Sequence, residues 1–277
     1  MTRSRRLLVG SAVLPILAVT LAAQAPDGNA VLRAAGVDVP RGGAEAAFSA
    51  GVQPPSPVPP GAFATLIVGM GPVGPRARAR NAYAFGVLAG RSGRNVPLGE
   101  LAGAGVALIQ MMADGDRATR VAGTRVSGRA FAAPIDGKPA APRPTGLEQA
   151  VLLMLNVPNS EEQLAAMEAI GLLGETAAVP TLTELYRAYR ERDDRQMAGG
   201  ALEALVRIGQ PQTDALVRGL VDDAWGDRND ATGLVVAYAR QRFLNDGSRR
   251  RLEAARDDRE LGPAARAYLA ELGPPVP

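Results

Sequence analysis

The chain has 277 residues, with 31 basic and 28 acidic side chains, no cysteine and no histidine. The two missing residue types exclude a disulfide framework, a Cys or His nucleophile, an ordinary structural zinc site and thioether haem attachment, and they remove the commonest general base. The small basic excess lies at the start: Arg3, Arg5 and Arg6 precede the first acidic residue, Asp27, and the rest carries 28 of each sign, so nucleic acid is not an expected partner.

In chain order, Met1–Arg6 is basic, Leu7–Ala23 is an apolar run broken by Gly10 and Pro15, and Ala22, Ala23 and Ala25 are small. These features predict a signal peptide over residues 1–23 and an exported protein, periplasmic or secreted. Cleavage after Ala23 leaves Gln24 first, whereas cleavage after Ala25 would leave Pro26, a poorly accepted residue there. The competing reading is an uncleaved anchor. The run of about 17 residues is short of the ~20 that span a bilayer, so no stable membrane span is expected after cleavage. Residues 24–60 read as leader and linker, with short helices at Val31–Ala35 and Ala44–Phe48 before the Pro-rich stretch Gln53–Pro60.

From Gly61 the pattern is helical. Gly69-Met70-Gly71-Pro72-Val73-Gly74 matches GxGxxG after Phe63–Val68, which could be a strand. A dinucleotide site needs an acidic ribose partner about 20 residues on. None occurs between Glu45 and Glu100, and Pro72 and Pro75 flank the turn, so a connection between helices is expected. Pro97–Met112 predicts a helix with Leu98, Leu101, Val106, Leu108 and Ile109 as its apolar positions, and Asp116–Ala130 predicts its partner. A Pro-rich loop insertion is expected near 131–146. Helices resume at Leu147, with Ser160 and Gln163 read as a capping box. Further pairs follow over Val179–Gly209, Thr213–Leu244 and Ser248–Leu272.

The second helices repeat a phrase: Ala82-Tyr83-Ala84-Phe85-Gly86, then Ala166-Met167-Glu168-Ala169-Ile170-Gly171, then Ala201-Leu202-Glu203-Ala204-Leu205-Val206-Arg207-Ile208-Gly209. One helix pair cannot bury its apolar face alone and must stack on the next. Together with Val179-Pro180-Thr181-Leu182, this phrase resembles a HEAT repeat, of the subtype noted in phycobilisome lyases. The likeness covers about residues 61–273. The resemblance implies an all-α fold, an α-α superhelix (solenoid) of about five or six helix pairs over residues 61–277, and a protein-binding role. It does not imply lyase activity.

If the Ala and Leu positions of each phrase are core, the intervening residues face out. They are Tyr83, Thr124, Glu168 and Glu203, and they form the candidate protein-binding ladder, because second helices line the concave surface of such arrays. A second candidate is the carboxylate cluster Asp222, Asp223, Asp227 and Asp230 around Trp225, which could bind Ca²⁺ outside the cytoplasm. Its spacing does not fit an EF-hand, and a solvated turn is the simpler reading. Arg249, Arg250 and Arg251 read as a solvated helix face balanced by nearby acids. The expectation is a non-catalytic scaffold without a cofactor that binds a protein partner. The alternatives are a Ca-dependent binder or enzyme using the Asp222–Asp230 loop, or a passive spacer.

Overall fold

The structure, a computed structural model, describes residues 26–54, 57–134, 141–219 and 228–274. The signal-like segment and Asp222, Asp223, Trp225 and Asp227 lie outside them. Among the described residues there are fourteen α-helices and no strand. They are α1 (Gly28–Ala34), α2 (Gly43–Ser49), α3 (Ala62–Gly69), α4 (Pro75–Ala89), α5 (Leu98–Met112), α6 (Arg117–Ala130), α7 (Leu147–Met154), α8 (Ser160–Leu173), α9 (Val179–Glu191), α10 (Arg195–Ile208), α11 (Pro211–Arg218), α12 (Ala231–Leu244), α13 (Arg249–Ala255) and α14 (Gly262–Leu272). None of them is long and apolar enough to cross a membrane.

From α3 onward the helices pack as six consecutive pairs, and the second helices α4, α6, α8, α10, α12 and α14 each pack on the next. This packing is consistent with an α-helical solenoid. Neighbouring second helices share far more contact than the neighbouring first helices α3, α5 and α7. The closer spacing of one layer curves the array toward it, so the second helices form its inner layer.

The expected leader is more than a linker. Helices α1 and α2 pack against α4. The carbonyl of Pro26 accepts a bond from Asn81 Nδ2 at 2.8 Å, and Phe48 meets the Tyr83 ring with centroids 5.3 Å apart. The GxGxxG stretch is a connection between α3 and α4, and Phe63–Val68 is helix.

Inner helices start at side-chain caps. Asp116, Asp194 and Asp230 each accept a backbone N–H from the first turn. At α8 the cap is Asn159, not Ser160: Asn159 has extended backbone and accepts from the N–H groups of Glu161 and Glu162. Gln163 is occupied elsewhere, donating to the Leu155 carbonyl at 2.8 Å and accepting from the Tyr189 hydroxyl at 2.6 Å. Helices α8 and α10 stop at Gly174 and Gly209 in left-handed conformation, the expected exits.

Close helix approach uses glycines inside the inner layer. A Cβ on Gly128 of α6 would lie 2.4 Å from Ala169 Cα of α8, and one on Gly171 would lie 2.8 Å from Ala204 Cα of α10. Stacking therefore runs on past the Pro-rich insertion. The Ala133 N–H also bonds to the Leu172 carbonyl at 2.7 Å. In α5 the buried face is Leu101, Ala104, Gly105, Leu108, Met111 and Met112, while Leu98 and Val106 are exposed, contrary to the expected stripe. Val106 follows Gly105 by one residue, about 100° around the helix, and so points off the buried face.

Candidate functional site

Curvature toward the inner layer decides the fate of the predicted ladder. Tyr83 is 4% exposed and Thr124 is fully buried, so neither presents an outward surface. Glu168 keeps 40% of its side chain exposed and Glu203 keeps 23%.

The ladder position in α6 is Arg125, not Thr124. Tyr83, Arg125 and Glu168 each stand three residues before a glycine of their own helix, namely Gly86, Gly128 and Gly171. Arg125 Nε lies 3.6 Å from Glu168 Oε2 and its guanidinium sits beside Tyr83. Burial pushes the Tyr83 hydroxyl up to about 12, with Arg125 opposing. Thr124 instead donates to the Arg120 carbonyl of its own helix at 2.8 Å. The glycine spacing was the signal that identifies Arg125 from sequence.

Farther along the inner layer the polar residues converge on Glu271 of α14. Its carboxylate accepts from Arg91 Nη1 at 2.6 Å, from Arg207 Nε at 3.2 Å and from the Tyr238 hydroxyl at 2.6 Å. Arg207 also pairs with Glu203 at 2.7 Å, one turn back in α10. Arg242 Nη1 donates to the Tyr238 hydroxyl at 2.8 Å. Tyr238 and Tyr268 stack at 4.5 Å with planes 9° apart, and Arg207 lies over the Tyr268 ring.

Burial raises Glu271, but Arg207 and Arg91 outweigh it and hold the carboxyl below the ordinary range. Burial also raises Glu203, and there it prevails over Arg207, with Glu168 and Glu271 adding to it. Tyr268 and Tyr238 are both raised, first by burial, then by the neighbouring glutamates. Clusters of shifted groups of this kind occur at functional sites and in structural ion-pair networks alike. Here the adjoining open space gives the cluster an accessible edge.

That space is a cleft of about 870 Å³ at the C-terminal rim of the inner layer. Leu172 of α8, Arg207 of α10, Arg242 of α12 and Glu271 of α14 line it, together with Arg91 after α4 and Arg249 and Arg250 of α13. None of these carries a site signal in the sequence. The Arg249–Arg251 run is partly a balanced helix face, with Arg249 paired to Glu253 at 3.0 Å, yet Arg249 and Arg250 also form a wall of the cleft.

The acidic loop offers little to a cation among the described residues. Asp230 caps α12 through the Gly233 N–H and pairs with Arg195. No group of three or more described His, Cys, Asp or Glu side chains could hold a metal ion.

Fold and site together define an all-helical array of stacked pairs with an arginine-lined cleft at one rim. No protein-family model matches the chain, and no curated protein matches it.

Proposed function

We propose that this is an exported, non-catalytic HEAT-like scaffold that holds a protein partner on its concave helical surface. The observation that carries the reading is the continuous stack of second helices, on which Glu168 is partly exposed and at whose rim a cleft of about 870 Å³ opens. Its lining recognises by charge and hydrogen bonding. The absence of His and Cys from the whole sequence argues in the same direction. Export is supported by the N-terminal pattern. Pro26 and Asp27 are already tied to Asn81 and Arg80 of α4, so cleavage near Ala23 would leave those ties intact.

The test is affinity capture from the cell envelope with the wild-type chain and with Glu168→Arg. Glu168 is partly exposed on the inner layer and pairs with Arg125 at 3.6 Å, so its reversal also costs the fold that pair, and Glu168→Gln is carried beside it as the milder change. The expected result is a captured protein that both variants lose while each still unfolds cooperatively. Identical capture profiles would count for the spacer reading.

A further inference from the structure

Resting on the scaffold reading, we propose that the rim cleft receives an acidic peptide segment of the partner, and that Arg242 and Arg250 are the residues that hold its carboxylates.

The cleft is lined by five arginines, Arg91, Arg207, Arg242, Arg249 and Arg250, against two glutamates, Glu253 and Glu271. Three of the arginines are committed. Arg91 and Arg207 are bound to Glu271, and Arg207 also to Glu203. Arg249 is bound to Glu253 and donates to the Gly273 carbonyl at 2.8 Å. Arg242 and Arg250 are exposed, and neither makes an ion pair among the described residues. The bond from Arg242 Nη1 to the Tyr238 hydroxyl fixes its direction, and the side chain as a whole stays exposed. Both guanidinium groups lie over glycines that have no side chain to cover them. A Cβ on Gly209 would be 3.4 Å from Arg242 Nη2, and one on Gly247 would be 3.8 Å from Arg250 Nη2.

Guanidinium forks match carboxylates in two-point geometry, which a bulk positive charge does not require. The same rim also carries the C-terminal ends of α10 and α12, whose last-turn carbonyls face out of the helix with partial negative charge. The lining therefore mixes strong donors with acceptors. A peptide supplies both complements, carboxylates for the arginines and backbone N–H groups for the carbonyls. Inorganic phosphate near neutral pH also carries P–O–H donors, but gathers all its groups on one compact centre. The dimensions agree as well. The volume lies within the ~300–1,000 Å³ typical of ligand pockets and exceeds what one small anion fills.

The experiment measures binding of a fluorescein-labelled peptide alternating Glu with Ser to the full chain by anisotropy, beside its Gln-for-Glu analogue. The Glu peptide should bind, the Gln analogue should not, and Arg242→Ala/Arg250→Ala should weaken binding by about tenfold or more. Arg250→Ala alone should weaken it measurably at unchanged melting temperature, which guards against a folding defect in the double variant. Equal binding of both peptides, no binding, or binding indifferent to both variants would overturn the proposal. Displacement of the peptide by equimolar inorganic phosphate would also overturn it and make the cleft a small-anion site. If the peptide fails while Glu168→Arg still abolishes partner capture, the cleft assignment falls and the scaffold reading stands.

Discussion

Arg91 and Glu271 stand 180 positions apart in the chain and 2.6 Å apart in space. Arg91 follows α4 in the first pair of the array, and Glu271 lies in α14 of the last. One carboxylate therefore clasps the two ends of the stack, and the rim cleft exists because the array curls far enough to bring them together.

Removing that carboxylate should open the clasp. Glu271→Gln leaves Arg207, 8% exposed in its side chain, with Glu203 alone, and takes the carboxylate away from Arg91. Breaking a buried ion pair from one side costs ~3–5 kcal/mol, readable as a shift in denaturation midpoint near neutral pH. The pH dependence follows from the direction of the Glu271 shift. Its carboxyl titrates below its ordinary value of 4.5 in the folded chain. Its stabilisation is complete above that ordinary value and is lost as pH falls through the folded one. The wild type should therefore lose stability more steeply than the variant below pH ~4.5. Parallel profiles would mean that Glu271 is not held ionised by the arginines.

Gly128 should not tolerate a methyl group. The added Cβ would meet the Ala169 backbone at 2.4 Å, where no side chain can rotate away. Overpacking of this kind costs ~1–3 kcal/mol. Gly99 is the control: it lies exposed in the first turn of α5 with nothing within 4 Å of a Cβ, so Gly99→Ala should gain ~0.5–1 kcal/mol. Chemical denaturation of the two variants decides. A neutral Gly128→Ala would contradict the close approach of α6 and α8.

The protein isolated from the cell envelope should begin near Gln24. N-terminal sequencing checks it. A chain that starts at Met1 and leaves the membrane only in detergent would establish the anchor reading.

Much of the local structure was legible in the sequence. The apolar spacing located the helix pairs, Gly174 and Gly209 marked helix exits, and the missing acid between Glu45 and Glu100 separated an interhelical turn from a dinucleotide loop. These features are local, because a helix repeats every 3.6 residues and its end is set by the conformation of one or two residues. The cap of α8 is Asn159, one residue before the expected Ser160; both are good capping residues, and only backbone geometry separates them.

The candidate site depended on longer relationships. Tyr83 and Thr124 looked outward on a helical wheel, but a wheel describes one helix, and burial depends on how sharply neighbouring helices turn toward each other. The sequence by itself determined an all-helical chain of stacked pairs without thiol or imidazole chemistry, because composition and short-range periodicity suffice for that. Tertiary structure alone decided that α1 and α2 join the fold and that Arg91 meets Glu271. The physical reason is that curvature accumulates from small rotations between successive pairs, set by side-chain volumes at each contact, and no single repeat records the sum.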